Sequence, residues 1–204
     1  MMINYLKKYF NRNNYIILDL EFNQGYRFQN KAYAKTLYNK FKKRPTEIIE
    51  LGAVMLNHKL KVKKKFHCYI KPQIYFDLRP HVSELTKIDR NILDSEGLLF
   101  KDVFITFERW ATQVSNAILC TWDDIDIKVL KSNIRYHGIK SEFFDNCSKL
   151  DIQQVFNKDR KVGLKKAIEE LNIHTDKQFH CAIDDAFITA EVFREIHSVT
   201  ASII

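Results

Sequence analysis

The chain has 204 residues, of which 46% are hydrophobic and 28% charged, with only three Pro and five Gly. This length and composition are typical of one globular domain and exclude collagen-like, linker-rich and disordered low-complexity chains. The net charge of +8 is local, because residues 1–14 and 23–46 hold ten Lys or Arg and no acid, whereas the remaining residues hold 23 basic and 25 acidic side chains. Such a local excess of positive charge indicates a polyanionic partner.

The sequence shows neither an apolar run of about 20 residues nor a signal-peptide pattern, so we expect a cytoplasmic protein without a membrane partner. We expect residues 1–14 to form a basic arm or a frayed end, and residues 15–204 to form one domain. Four widely spaced cysteines predict free thiols rather than a zinc site or disulfides. They are Cys68, Cys120, Cys147 and Cys181.

The first part of the chain predicts three strands. Tyr15–Leu20 is a short apolar and β-branched run between polar segments, which is typical of a buried strand. Glu47–Leu56 and Lys61–Ile70 are expected to form a hairpin. Lysines at alternate positions of its second strand favour a solvated outer face over a nucleic-acid surface.

The second part predicts two more strands and four helices, after a loop-and-helix stretch through Leu93. The helices are about Phe100–Val114, Ile125–His137, Leu164–Leu171 and Ala182–Ile196, and the strands are Ala117–Trp122 and Cys147–Ile152. This order indicates an α/β fold with a mixed five-stranded sheet flanked by helices. The sheet is expected to start antiparallel and to continue parallel.

Asp19 and Glu21 are two carboxylates on an otherwise apolar strand. Side chains two residues apart share one face of a strand, so these two would lie side by side. Two unpaired anions there would repel each other and resist desolvation, and a divalent cation would remove the conflict. The alternative is an exposed strand end with both acids in water.

Three further residues can reach the same centre. Asp126 shares the inward stripe of its predicted helix, although an acid in the first turn also interacts with the helix dipole. Within one helix, His180 and Asp185 would point about 140° apart. They converge only if His180 precedes the helix and Asp185 lies in its first turns, with Asp184 as the alternative acid. His180 could also be a satisfied polar side chain without a catalytic role.

Five segments of this sequence occur in the order and approximate spacing of the DEDDh 3′–5′ exonucleases. They are Asp19-Leu20-Glu21-Phe22, Glu47 to Val54, Leu85-Thr86-Lys87-Ile88, Trp122 to Asp126, and His180 to Ala186. The chain resembles most closely the branch that contains the enhanced-RNAi and histone-mRNA exonucleases and the KapD-like proteins. The resemblance runs from about Tyr15 to about His197 and implies a ribonuclease-H-like fold.

The resemblance also implies roles for individual residues. Four acids would bind two divalent cations, Mg²⁺ or Mn²⁺, and these are Asp19, Glu21, Asp126 and Asp185. His180 would be the fifth catalytic residue. The substrate-binding residues would be Phe22, Asn23, Leu85, Thr86, Lys87 and Trp122. Asn23 replaces a common Thr and can still donate a hydrogen bond, whereas Lys87 replaces a common Gly, so we expect no glycine-like backbone conformation there.

This residue set fits phosphodiester hydrolysis by two metal ions. Carboxylates supply the hard oxygen ligands that Mg²⁺ and Mn²⁺ prefer. One cation would activate water and the other would stabilise the leaving oxygen. His180, with an ordinary pKa of about 6.5, would take the proton from the attacking water. The expected product is a nucleoside 5′-monophosphate released from a 3′ end.

The basic segment 23–46 contains aromatic residues among its cations, a composition typical of single-strand binding surfaces. We expect four of its cations to guide the substrate, namely Lys35, Lys42, Lys43 and Arg44. An amphipathic helix with solvated lysines is an equal alternative. RNA is favoured over DNA because the resembling branch acts largely on RNA. The alternatives are a DNA exonuclease and an inactive nucleic-acid-binding protein.

Overall fold

The computed structural model describes residues 13–24, 44–75 and 77–203, which form a five-stranded sheet and the helices around it. The strands are β1 (Asn14–Asn23), β2 (Glu47–Leu56), β3 (Val62–Tyr69), β4 (Ala117–Thr121) and β5 (Ser148–Asp151). The helices are α1 (Pro80–Thr86), α2 (Arg90–Ser95), α3 (Phe100–Ala111), α4 (Asp124–Tyr136), α5 (Glu142–Asn146), α6 (Ile152–Phe156), α7 (Leu164–Glu170) and α8 (Ala182–Ile203).

The strand order is β3-β2-β1-β4-β5. β1 pairs antiparallel with β2, and β2 pairs antiparallel with β3. β4 lies parallel to β1, and β5 lies parallel to β4. The predicted mixed sheet, with an antiparallel start and a parallel continuation, is therefore confirmed.

Alternation along β1 divides the core into two layers. Ile16, Leu18 and Leu20 pack with residues of α3 and α4 on one face of the sheet. Tyr15 and Ile17 pack with residues of α8 on the other face. Because side chains alternate along a strand, the next two odd-numbered residues, both acids, continue the row that faces α8. The carboxylates thus extend an apolar row toward the carboxyl end of β1.

The boundaries of several elements differ from the predicted ones. β1 continues beyond Leu20, because its pairing with β2 extends past a register shift to Asn23 and Glu47. α3 ends at Ala111, where the Thr112 hydroxyl donates a hydrogen bond to the Glu108 carbonyl oxygen. The short helices α5 and α6 were not predicted, since five residues are too few to show a helical period.

The backbone at Lys87 contradicts the sequence-based expectation. Lys87 has a φ of 64° and caps the carboxyl end of α1, where its N–H donates to the Ser83 carbonyl oxygen. This left-handed conformation is the one that glycine adopts readily and that costs other residues about 1 kcal/mol. The loop therefore has the backbone conformation that a glycine would adopt, at the cost of conformational strain in Lys87.

Three further expectations concern the cysteines, the lysines of β3 and membrane-spanning helices. All four cysteines are free, with Cys120 buried and the other three half-buried. The lysines of β3 and of the turn before it are exposed, and Val62 beside them is 40% exposed. Within the described ranges, every helix is too short or too polar to cross a membrane.

Gly52 in β2 sets the position of α8. A side-chain carbon at Gly52 would overlap the backbone of Ala182 and Ile183 at the start of α8. Gly52 pairs with Asp19 across the β1–β2 ladder. The absence of a side chain therefore lets the first turn of α8 approach the sheet beside the first carboxylate.

We expect Gly52→Ala to lower the free energy of unfolding by about 2–3 kcal/mol, because the new methyl group would meet backbone atoms that cannot rotate away. Urea denaturation measures the change. Gly163→Ala is the matched control, since a carbon there has open space around it, and it should cost less than about 1 kcal/mol. Equal losses in the two variants would contradict a close approach at Gly52.

Candidate active site

Residues from distant parts of the chain meet at the carboxyl ends of β1 and β4. They line a cavity of about 430 Å³. β1 contributes two acids, the first turn of α4 contributes one, and α8 with the turn before it contributes an acid and a histidine. These residues are Asp19, Glu21, Asp126, His180 and Asp185. The structure thus brings together all five residues of the predicted catalytic set, while their roles remain predictions.

The turn before α8 presents His180. This residue lies outside the helix with a φ of 61°, and its backbone N–H donates to Asp185 Oδ2 at 2.8 Å. Asp184 points elsewhere, since its Oδ2 accepts from the Gln178 N–H at 3.1 Å. The expected arrangement, with His180 ahead of the helix and Asp185 in its first turn, is the observed one.

The two acids of β1 are held in an environment that disfavours their charge. The pKa of Asp19 lies well above its usual range because of burial first, and then because of Asp126, Asp185 and the neighbouring glutamates. Burial, followed by the carboxylates of Glu50 and Asp185, raises the pKa of Glu21 to about 8. Both acids therefore favour protonation unless a cation compensates them.

The acids on the two helices behave in the same way. The pKa of Asp126 is raised by burial first and then by Asp123, Glu21 and Asp185. Burial raises the pKa of Asp185 to about 6, although the hydrogen bond from the His180 N–H acts in the opposite direction. Four acids with raised pKa values around one cavity are typical of a functional site rather than of a structural ion-pair network.

The donor atoms in this cavity fit a divalent cation. One ligand atom each from Glu21, His180 and Asp185 lies within 4.8 Å of the other two. Asp185 Oδ1 is buried and has no hydrogen-bond partner among the described residues. A buried carboxylate oxygen without a donor is costly, and a bound cation would satisfy it. Because the remaining donors are carboxylate oxygens, the site suits hard cations such as Mg²⁺ or Mn²⁺.

The predicted substrate-binding residues fall into two groups. Four of them line the cavity, namely Phe22, Leu85, Thr86 and Trp122. Leu85 is 49% exposed and available for contact, whereas the Trp122 indole N–H donates to the Val162 carbonyl oxygen at 3.0 Å.

The second group consists of three described residues that do not line the cavity. Asn23 is buried, donates to the Asp77 carbonyl oxygen and accepts from the Arg79 N–H, so it supports the loop before α1. The Lys87 ammonium donates to the Glu84 carbonyl oxygen, and the Arg44 guanidinium donates to that of Ile74. The predicted contacts Lys35, Lys42 and Lys43 lie outside the described residues.

Sequence reasoning missed the role of Glu50 in this region. Glu50 is 1% exposed in a strand that is buried along its whole length. It lies directly opposite Glu21 in the β1–β2 ladder. The argument used for Asp19 and Glu21, that an acid in an apolar strand needs a compensating partner, would have identified Glu50 as well.

Comparison with known proteins places this chain in a family. The family model RNase_T, described as exonuclease, matches residues 16–193. "Probable 3′-5′ exonuclease KapD" of Bacillus subtilis is 31% identical over 150 residues, which are 72% of each chain. ERI1 exoribonuclease 2 of Mus musculus is 30% identical over 169 residues, which cover 71% of this chain and 24% of that one.

A solved structure has the same fold. The nuclease domain of 3′hExo, described as a DEDDh family member bound to rAMP, superposes with a TM-score of 0.73 at 21% identity. The match covers 93% of both chains. The expected ribonuclease-H-like architecture and the expected family are therefore confirmed.

The stability of the metal-free protein should depend on pH with a definite sign. The pKa of Glu21 rises from 4.5 to about 8 on folding, so between these values the folded state holds a proton that the unfolded chain has released. The free energy of unfolding therefore falls as pH rises through this window. We expect the Tm of EDTA-treated protein to fall from about pH 5 to pH 8, and Mn²⁺ to raise it most at pH 8.

The matched control is Glu21→Gln, which removes one of the titrating groups. Its Tm should fall less over the same pH range, and Mn²⁺ should stabilise it less. Identical pH profiles for the two proteins in differential scanning fluorimetry would mean that Glu21 does not carry the shifted pKa.

Proposed function

This chain belongs to the RNase_T family of exonucleases, and we propose that it is a metal-dependent 3′–5′ exonuclease of single-stranded RNA that releases nucleoside 5′-monophosphates. The convergence of four acids and one histidine in a single cavity supports this proposal most directly. The names of the relatives support the direction of attack, since KapD is described as a 3′–5′ exonuclease.

In this proposal the acids hold divalent cations. Asp19 and Glu21 would do so from β1, Asp126 from α4 and Asp185 from α8. When bound, such cations activate a water molecule and stabilise charge on the leaving oxygen. The oxygen donor set suits Mg²⁺ and Mn²⁺ alike, and we propose that either supports the reaction.

His180 would accept the proton of the attacking water on its imidazole. Burial lowers the pKa of His180 below its ordinary value of 6.5, so the ring is neutral at pH 7 and can accept a proton. The residue is exposed at the mouth of the site, while the Asp185 carboxylate fixes its backbone. The side chain is therefore accessible to water and substrate, on a backbone that is held in place.

The choice of RNA comes from the relatives rather than from a contact in the cavity. Two observations support it: ERI1 proteins are described as exoribonucleases, and the 3′hExo domain was solved with rAMP. The exposed side chain of Leu85, the half-buried Phe22 and the mostly buried Trp122 line the cavity and offer apolar surface to a terminal base. Apolar contact with a base does not distinguish ribose from deoxyribose, so the sugar preference needs a direct test.

We further propose that the basic segment guides the substrate strand into the cavity. Asn23, the last residue of β1, pairs with Glu47, the first residue of β2. The two ends of the connection between these strands therefore lie next to each other in the sheet. Gln24 lines the cavity. The cations proposed as guides therefore belong to a segment that is attached at the rim of the site.

The proposed activity predicts a ladder of products shortened from the 3′ end when 5′-labelled single-stranded RNA is incubated with Mn²⁺ or Mg²⁺. EDTA should abolish it, and DNA of the same sequence should be degraded more slowly. Faster degradation of DNA would indicate a DNA exonuclease. Binding without any product in either metal would indicate an inactive nucleic-acid-binding protein.

The control within this experiment concerns His180. His180→Asn and His180→Ala should each lower kcat by about 10²–10⁴, because water then lacks its proton acceptor. The asparagine variant is included because Asn tolerates the positive φ of this position. Thermal stabilisation by Mn²⁺ should survive, and full activity in either variant would remove His180 from the proposed mechanism.

Neutralising the basic segment should flatten the salt dependence of RNA binding. We expect Lys35→Gln, Lys42→Gln and Lys43→Gln together to reduce the slope of log K against log salt by about 2, since each phosphate contact on a single strand contributes about 0.7. The control removes three exposed lysines of the edge strand β3 and the turn before it, Lys61, Lys63 and Lys65, and should leave the slope unchanged. An equal slope in wild type and the first variant would refute the guiding role.

A further inference from the structure

The carboxylate of Glu50 lies in a place where its charge is expensive. It is buried in β2 and pairs directly with Glu21 of the proposed metal site. Like charges on directly opposed strand positions destabilise a sheet. A leucine would serve the apolar core of β2 better, so the acid must contribute something other than packing.

Donors on β3 and at the start of α8 compensate this charge. The ring N–H of His67, on β3, donates to Glu50 Oε1 with an Nε2–Oε1 distance of 2.6 Å. The backbone N–H of Ala182, the first residue of α8, donates to Glu50 Oε2 at 3.1 Å. Both oxygens of Glu50 are therefore engaged by donors, unlike Asp185 Oδ1. Glu50 thus joins β2, β3 and α8 rather than acting as a free ligand.

Glu50 and Gly52 act on the same short piece of backbone. Gly52 lies between Asp19 and His67 in the sheet register, and its missing side chain makes room for Ala182. Glu50, two residues away on the same face, holds the N–H of that residue. The glycine permits the approach of the helix, and the glutamate fixes where the helix begins.

The start of α8 determines the position of two proposed catalytic groups. Asp185 lies one turn into the helix, and its N–H donates to the Cys181 carbonyl oxygen at 2.9 Å. His180 lies two residues before Ala182 and is tied to Asp185 through its own N–H. A shift of Ala182 would therefore move both groups relative to the acids of β1.

We propose that Glu50, oriented by His67, is a positioning residue for the exonuclease reaction: it fixes the start of α8 and thereby places His180 and Asp185 opposite Asp19 and Glu21. This inference rests on the proposed function for its catalytic consequence. Its structural part, the anchoring of residues 180–185 by Glu50, stands independently of the substrate.

The test compares three variants, two at Glu50 and one at His67, with a control variant at another buried glutamate of β2. Glu50→Ala removes the anchor, Glu50→Gln keeps an acceptor for the Ala182 N–H, and His67→Ala removes the partner that orients the carboxylate. His67 is one third exposed, so its variant should fold normally. Glu47→Gln is the control, because Glu47 is a buried acid on the same strand whose carboxylate accepts N–H groups of residues 73–75, away from the cavity.

Kinetic measurements should distinguish a loss of positioning from a general loss of stability. We expect Glu50→Ala to lower kcat by about 10–100-fold, to raise the Mn²⁺ concentration for half-activation by a similar factor and to leave KM for RNA within about twofold. His67→Ala should show a smaller effect of the same kind, and Glu50→Gln should recover most of kcat. Glu47→Gln should change Tm but not kcat. A Glu50→Ala enzyme with wild-type kcat and Mn²⁺ dependence would overturn the proposal, as would a Glu50→Gln variant as weak as Glu50→Ala.

A readout without substrate keeps this inference distinct from the proposed function. Hydrogen exchange of the metal-free full-length proteins, followed in peptides that cover residues 178–186, should be faster in Glu50→Ala than in wild type and unchanged in Glu47→Gln. If wild type shows no exonuclease activity but this difference is present, the proposed function fails and the anchoring stands. Equal exchange in wild type and Glu50→Ala would refute the anchoring itself.

Discussion

The repulsion among buried carboxylates governs the architecture of this site. Asp19, Glu21, Asp126 and Asp185 surround one cavity, and the pKa of each is raised by burial and by at least one acid nearby. A fold that served only its own stability would not gather these groups. The rest of the structure is therefore best understood as a scaffold that holds them together until cations compensate their charge.

The sheet supplies that scaffold by bringing three chain segments together at the carboxyl ends of β1 and β4. β1 carries two acids on the face that α8 covers, β4 leads directly into α4, and the first turn of α8 fits over Gly52. Glu50 and Glu21 show that neighbouring carboxylates can have different roles. Both oxygens of Glu50 are engaged by donors, so it is a structural anchor, whereas the pKa of its neighbour Glu21 is raised by burial and by nearby carboxylates, and Glu21 remains available to a metal.

At Lys87 and Asn23 the residue type alone was a poor guide to the local structure. The substitution of Lys87 for a common glycine indicated a changed loop, yet the backbone there is left-handed at a φ of 64°. The hydrogen bonds of the α1 carboxyl end hold this geometry and outweigh the strain of one residue. Asn23 shows the reverse case, since its ability to donate a hydrogen bond was foreseen but its partner is the loop before α1 rather than the cavity.

The sequence by itself predicted the five strands, the long helices and the acid pair of β1, because periodicity and an acid in an apolar strand are local signals, while the resemblance to the exonucleases selected Asp126 and Asp185. The sequence also determined that His180 must precede its helix, since helical geometry forbids convergence otherwise. Only the tertiary structure decided that Asp126 and Asp185 reach the cavity, that Gly52 admits α8, and that Glu50 is engaged by His67 and Ala182. Those facts depend on contacts between distant residues, such as Glu50 and Ala182, which are 132 positions apart, and no local pattern encodes a distance between segments that meet only when the sheet is assembled.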